Sequence, residues 1–232
     1  MYFYRIDATY IFLVLPAVIF ALWAQFNVKS TFSKYSKIAS RSGMTGFDSA
    51  RRILDANGLG DVRIAHVSGD LTDHYNPTDN TIYLSDSVYG SNSAAAIGVA
   101  AHEAGHAVQH ATGYTPIKIR SAIIPITNIG SNLAMPLIIL GIILSFPTLA
   151  YIGVAAFGLS TLFQLVTLPV EFDASGRALK ALEGSLDGED LASARKVLRA
   201  AALTYVAALA VSLVNLLRLL IIVAGNDRRR RR

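Results

Sequence analysis

Two long apolar segments follow one another directly in the second half of the chain, and they constrain its fold more than any other feature. They cover about residues 123–146 and 147–170, and neither contains a charged residue. Each is long enough for the roughly 20 residues that cross a bilayer as a helix. The short, uncharged connection Ser145-Phe146-Pro147 predicts a transmembrane hairpin over residues 121–170, which returns the chain to the side of the membrane that it left.

The overall composition favours a membrane protein with several spans. Hydrophobic residues make up 53% of the chain and charged residues only 16%, which is too apolar for an ordinary soluble domain. The net charge of +5 comes from the terminal run Arg228 to Arg232, because 21 − 5 = 16 basic residues otherwise balance 16 acidic ones. The basic balance therefore predicts no nucleic-acid partner, and the expected partner is the lipid bilayer. The absence of cysteine excludes disulfides, thiolate ligands and a thiol nucleophile.

Both ends of the chain carry a further apolar segment. Residues 1–28 predict a transmembrane anchor whose C-terminal end lies in the cytoplasm, because basic residues follow its apolar run Tyr10 to Phe26. Residues 201–232 predict a hydrophobic helix and an arginine tail. A full crossing by Ala202 to Ala224 would place that tail outside, against the positive-inside rule. Three spans and four spans therefore both fit the sequence.

Residues 29–120 are more polar and predict a small cytoplasmic domain of helices and strands. A helix is expected over Thr45–Gly58, a strand over Val62–Val67 and a hairpin over Asp73–Ser85. We expect the second hairpin strand to be an edge strand, to which a peptide substrate could add its own backbone. This hypothesis gives substrate binding to Thr81, Ile82, Tyr83, Leu84 and Ser85. An ordinary inner strand fits the same pattern.

The sequence His102-Glu103-Ala104-Gly105-His106 predicts a metal site on a helix from about Ser93 to Thr112. Histidines four residues apart lie on one face, about 40° apart around the helix axis and roughly 6 Å apart along it. Both can then bind one zinc ion, while Glu103 can accept a proton from a zinc-bound water. The flanking residues are small and apolar, so the helix is expected to be buried, and buried histidine and glutamate need partners.

Glu171 is the expected third ligand, because it is the first ionisable residue after the predicted hairpin. A carboxylate beside an apolar segment is costly without a partner, and two histidines with one glutamate leave a position open for water. The alternative is an interfacial carboxylate paired with Arg177. We expect Asp173, in the third-ligand segment 171–200, to brace a ligand histidine through its free ring nitrogen. His110 lies about 12 Å along the helix from His102, rotated by about 80°, and is not expected to be a ligand.

These motifs resemble a known family. Thr72-Asp-His-Tyr-Asn, Ala100-Ala-His-Glu-Ala-Gly-His-Ala-Val-Gln and Leu168-Pro-Val-Glu-Phe-Asp-Ala-Ser are similar to segments of the YugP-type bacterial membrane zinc metallopeptidases. The resemblance implies a multi-pass peptidase with zinc on His102, His106 and Glu171 and with Glu103 as catalytic base. The chain is more distantly similar to HtpX-type and prenyl-protein membrane proteases, whose third ligand lies in a Glu-x-x-Ala-Asp pattern. It departs from that pattern, because Ser175 stands four residues after Glu171.

The sequence therefore predicts an α+β, zincin-like metallopeptidase core fused to a mostly helical membrane domain. The expected activity is that of a zinc-dependent endopeptidase, gluzincin-like in its ligands, acting on a peptide or a membrane-protein substrate. Basic residues on both sides of the hairpin predict that the active site faces the cytoplasm. A catalytically silent zinc-dependent scaffold and a metal transporter are the alternative functions. An intact Glu103 favours the enzyme, since a structural site needs no base.

Overall fold

The computed structural model describes residues 9–230, without the side chains of residues 228–230. Residues 1–8 of the expected N-terminal anchor and Arg231 and Arg232 of the arginine tail therefore lie outside the described residues. The described chain is mostly helical, with one sheet of three short strands. The elements follow one another as a π-helical turn (Tyr10–Val14), α1 (Leu15–Tyr35), α2 (Gly46–Ala56), β1 (Arg63–Val67), β2 (His74–Asn76), β3 (Thr81–Ser85), α3 (Ala94–Ala111), α4 (Thr115–Ile143), α5 (Pro147–Leu182) and α6 (Gly188–Arg230).

Four helical stretches within residues 9–230 are long and apolar enough to cross a membrane. They are Tyr10–Tyr35, Thr115–Ile143, Pro147–Leu182 and Gly188–Asp227. At 1.5 Å per residue, a helix as long as α4 extends roughly 40 Å, more than the ~30 Å hydrocarbon core of a bilayer. In the hairpin, α4 begins before its predicted apolar segment and α5 continues beyond its own, because helical structure extends into the polar residues on that side of the hairpin.

Contacts within the described chain group its segments into two units. The helical unit comprises the chain up to Trp23, Ile119–Leu168 and the chain from Tyr205 onward; the sheet unit comprises Ala24–Lys118 and Pro169–Thr204. In the helical unit, α4 and α5 pack closely through small residues. A Cβ placed on Gly153 would lie 2.7 Å from the carbonyl oxygen of Ala134. Large apolar side chains of this unit, such as Ile129 and Leu165, are more than half exposed, as expected for contact with lipid.

The short elements of the sheet unit begin and end at the signals seen in the sequence. α2 begins with a capping box, in which Thr45 accepts from the backbone N–H of Asp48 and the Asp48 side chain accepts from that of Thr45. α3 begins at the capping hydroxyl of Ser93 and ends before Gly113, whose φ of +66° favours glycine. The core between them consists mainly of aliphatic side chains, among them Ile53, Leu54 and Ile97.

The sheet is mixed, and its strand order corrects one expectation. β3 lies at the centre, parallel to β1 and antiparallel to β2, so its backbone is paired on both sides. Four of its residues, Thr81, Ile82, Leu84 and Ser85, are almost fully buried, and the hydroxyl of Tyr83 donates to Asp79. The hypothesis that substrate adds to Thr81–Ser85 as an edge strand is therefore wrong. The edge strand next to α3 is β2.

Candidate metal centre

The two histidines of the motif face one carboxylate on α5. The Nε2 atoms of His102 and His106 lie 3.3 Å and 3.5 Å from the same oxygen, Oε2 of Glu171. One ligand atom from each residue lies within 4.8 Å of the others. Glu171 is 2% exposed, and the side chains of His102 and His106 are 13% and 11% exposed. Residues 69 positions apart along the chain thus meet in one enclosed cluster.

This spacing fits a small tetrahedral ion. Zinc binds histidine nitrogen and carboxylate oxygen at about 2.0–2.2 Å, so neighbouring ligand atoms around it lie roughly 3.3–3.5 Å apart. The two measured nitrogen–oxygen distances have that length. Nitrogen and oxygen donors are also the donor types that zinc uses in catalytic sites. The donor types, and the spacing of the carboxylate from each histidine, therefore suit a zinc ion.

The glycine of the motif allows α3 and α5 to approach closely enough for these contacts. A Cβ placed on Gly105 would lie 2.7 Å from the carbonyl oxygen of Ala174, a distance that real Cβ atoms essentially never show. Gly105 precedes His106, and Ala174 is three residues beyond Glu171, so the close approach lies beside the ligands. Any larger residue at this position would move the carboxylate away from the histidines.

Glu103 lies beside the cluster and is held by the sheet. It is 8% exposed, and its Oε2 accepts the backbone N–H of Tyr75 at 2.9 Å. This N–H belongs to β2 and points away from β3, so the hydrogen bond joins the edge strand to the motif helix. Glu103 is not one of the three clustered ligands. Its carboxylate is fixed through one oxygen, which leaves the other oxygen for chemistry.

The electrostatics of the cluster favour a positive charge. Burial opposes protonation of His106, but hydrogen bonding to Glu171 and the negative charges of Glu103 and Glu171 outweigh burial and raise the pKa of His106. Nearby, burial raises the pKa of Asp73, against hydrogen bonds from Ser85, and the charge of Glu103 adds to the increase. Carboxylates therefore surround the histidines from two sides, which is an arrangement suited to a cation.

The remaining ring nitrogen of each histidine also has a partner. Nδ1 of His102 lies 3.1 Å from the hydroxyl of Ser175, and Nδ1 of His106 lies 3.0 Å from Oε1 of Gln109. Such contacts commonly fix the ring orientation of ligand histidines. Asp173 contacts neither ring; it accepts from Gln109 Nε2 at 2.8 Å and from Arg177 Nε at 2.6 Å. The expectation that Asp173 braces a histidine directly is therefore wrong, because Gln109 lies between them.

Sequence reasoning missed Gln109 and Ser175 as the direct partners, although a spacing signal for each was present. Gln109 follows His106 by three residues in a buried helix, and Ser175 follows Glu171 by four, so each pair shares a helix face. Arg177 pairs with Asp173, and both motif histidines contact the Glu171 carboxylate. The ring centroids of His110 and Tyr75 lie 5.5 Å apart, and His110 is not part of the three-residue cluster.

Comparison with known proteins agrees with this geometry. The family described as "Putative neutral zinc metallopeptidase" matches residues 10–224, which is most of the chain. The chain belongs to this family. It is also 48% identical over 221 residues to the "Putative membrane protease YugP" of Bacillus subtilis (strain 168), and the match covers 94% of this chain and 98% of that protein. No solved structure matches.

Membership confirms the resemblance drawn from the sequence motifs and identifies zinc as the family's metal. Four apolar helices within residues 9–230, together with the name of its relative, indicate a multi-pass membrane protein. The match runs over residues 10–224, so it includes segments of both units. The family assignment therefore covers the whole cluster, including the carboxylate on α5.

Proposed function

We propose that this protein is a zinc-dependent endopeptidase of the cell membrane, with a zincin-like core of the gluzincin type. His102, His106 and Glu171 would hold the metal, and Glu103 would be the catalytic base. One observation carries the proposal: a single oxygen of Glu171 is equidistant, within 0.2 Å, from the Nε2 atoms of both motif histidines. Ligands spaced for a small ion, with an unligated glutamate beside them, are the parts that peptide hydrolysis by an activated water requires.

The residues would divide the work as follows. Zinc, when bound, polarises the scissile carbonyl and lowers the pKa of water to about 7. Glu103 takes the proton of the attacking water on the oxygen that Tyr75 leaves free and later delivers it to the departing amine. The backbone N–H of Tyr75 holds the carboxylate in the orientation that this transfer needs. A scaffold without activity would have no use for a carboxylate enclosed beside the metal but not bound to it.

Substrate would bind along the outer edge of β2. The backbone N–H of Tyr75 points away from β3 and already donates to Glu103, so an extended peptide added at this edge would pair with the outward carbonyl of Tyr75 and pass the catalytic base. Backbone pairing alternates along a strand with a period of two residues. In a cleavable peptide, N-methylation of single residues should therefore reduce cleavage at alternate positions near the scissile bond. Equal sensitivity at all positions would contradict pairing at a sheet edge.

The experiment that tests the enzyme uses Glu103→Gln, which preserves size and removes the base. The purified full chain should keep about one zinc per chain, since Glu103 is not a ligand. Hydrolysis should fall by roughly 10²–10⁴-fold. Comparison of membrane proteomes from cells with either form then identifies candidate substrates. Unchanged hydrolysis in Glu103→Gln would rule out the proposed mechanism.

The site is proposed to face the cytoplasm. Basic residues follow the first span and lie on both sides of the central hairpin, as the positive-inside rule requires for cytoplasmic segments. A reporter fused at Ser68, in the sheet unit, should then read cytoplasmic, and one at Pro147, in the hairpin turn, should read external. An external reading at Ser68 would invert the orientation and place the substrates in the other compartment.

A further inference from the structure

Gln109 has all of its side-chain hydrogen-bonding groups engaged next to the metal centre. It lies on α3 one turn after His106 and is fully buried. Its Oε1 lies 3.0 Å from Nδ1 of His106, and its Nε2 lies 2.8 Å from both the carbonyl oxygen of Val170 and Oδ2 of Asp173. A fully buried amide with three short contacts has little freedom to rotate or to exchange partners.

The chemistry of these partners fixes the orientation of the amide. A carbonyl and a carboxylate only accept hydrogen bonds, so the NH₂ group of Gln109 must face Val170 and Asp173. Its oxygen must then face His106, and this oxygen can only accept. Nδ1 of His106 must therefore carry a proton, so in the neutral imidazole Nε2 is the nitrogen with a free lone pair. Nε2 is the atom that faces Glu171.

We propose that Gln109 is a positioning residue for the zinc site, which holds His106 in the Nδ1–H tautomer with Nε2 directed at the metal. Asp173 and Val170 act through Gln109 by setting the direction of its amide. Arg177 acts one step further away, because it holds the Asp173 carboxylate at 2.6 Å. This inference rests on the proposed function for the identity of the metal ligands, and it adds the residue that prepares one of them.

The two ligand histidines differ in how strictly they are prepared. The partner of His102 is the hydroxyl of Ser175, which can donate or accept and therefore does not dictate the tautomer by itself. Ser175 is half-buried, whereas Gln109 is fully buried. Loss of Gln109 should accordingly weaken zinc binding more than loss of Ser175, since it removes the acceptor for Nδ1–H of His106 and one donor each to the Val170 carbonyl and the Asp173 carboxylate.

Zinc affinity, measured by competition with a chelator on the purified full chain, tests this role without relying on activity. Gln109→Leu should raise the Kd for zinc by about 10–100-fold, the range for partners of metal ligands. Ser175→Ala should have the smaller effect. Asp173→Ala removes one of the two acceptors that orient the Gln109 amide, so it should raise the Kd for zinc by less than Gln109→Leu does. Wild-type affinity in Gln109→Leu would overturn the proposal.

A matched control and a direct observation complete the test. Ser49→Ala removes another buried hydrogen bond to α3, from the Ser49 hydroxyl to the Ile97 carbonyl, so it should lower the Tm and leave zinc affinity within about twofold. ¹⁵N spectra of the wild-type protein loaded with zinc should show His106 protonated at Nδ1. Metal bound at Nδ1 of His106 would overturn the role of Gln109, whereas a wild type that binds no zinc would overturn the proposed function instead.

Discussion

In the sheet unit, the closest approach of two helices is lined by imidazole, carboxylate and amide groups, whereas in the helical unit the helices meet through small residues and buried aliphatic side chains. Glu171 and Gln109 are fully enclosed in the first, and each has several polar partners. In the second, Gly141, Gly153 and Ala150 bring backbones into contact, and large apolar side chains point outward. Substitutions in the two units should therefore have different effects. In the sheet unit they should weaken metal binding, and in the helical unit they should weaken helix packing.

The largest expected effect is that of Glu171→Ala, which tests whether the buried carboxylate in the sheet unit binds the metal. Loss of a residue that hydrogen-bonds to a ligand typically lowers metal affinity by roughly 10–100-fold. Removal of the ligand Glu171 itself should lower zinc affinity by more than that, and activity should be lost with the zinc. Thermal stability should fall as well, because bound metal stabilises the folded state. Metal analysis of the purified variant measures this directly.

Glu183→Ala is the matched control, because Glu183 is exposed in the loop after α5 and outside the cluster. It should retain zinc and activity. If Glu183→Ala lost zinc while Glu171→Ala retained it, the assignment of the third ligand would be wrong.

A smaller effect is expected from Gly153→Leu, which disturbs only the helical unit. The new side chain would meet the carbonyl oxygen of Ala134 at 2.7 Å and the backbone nitrogen of Ile138 at 2.8 Å. Such overpacking typically costs about 1–3 kcal/mol. Thermal unfolding in detergent should show the loss, while chelator competition should show unchanged zinc affinity.

Gly158→Leu provides the control on the same helix, since nothing lies within 4 Å of a Cβ at Gly158. It should leave the unfolding temperature almost unchanged. Equal destabilisation by the two substitutions would show that close packing of α4 against α5 is not what holds this unit together.

The smallest effect concerns the hydrogen bond between the hydroxyls of Thr161 and Ser212, 2.7 Å apart in the helical unit. A double-mutant cycle with Thr161→Val and Ser212→Ala should give a coupling free energy of about 0.6 kcal/mol, the average for hydrogen bonds between membrane helices. A coupling of several kcal/mol would place this bond on a par with the polar contacts of the sheet unit and weaken the contrast.

The local elements were largely predictable from the sequence, because their signals are local. Capping at Thr45 and Ser93, the turn before β3 and the stop at Gly113 all depend on residues a few positions apart. The clustering of Glu171 with His102 and His106 was also predicted, since a membrane hairpin must return the chain and an ionisable residue beside it needs a partner.

The order of the strands was not predictable in this way. A hairpin fixes β2 next to β3, but which of them receives β1 depends on long-range packing, and the parallel pairing of β1 with β3 placed β3 in the middle. The prediction that Asp173 contacts a ligand histidine was wrong for a related reason. Its distance from the motif in sequence gave no sign that Gln109, on the facing helix, would lie between it and His106.

The contact between Gly105 and Ala174 has a consequence for which ions the site accepts. The two helix backbones touch there, and beside that contact the histidine nitrogens lie 3.3 Å and 3.5 Å from the Glu171 oxygen. Ions with bonds of about 2.0–2.2 Å suit that spacing, whereas calcium, at roughly 2.3–2.6 Å and with six to eight oxygen ligands, does not. The absence of a side chain at Gly105 thus favours ions of small radius, because it lets the ligands on the two helices lie close together.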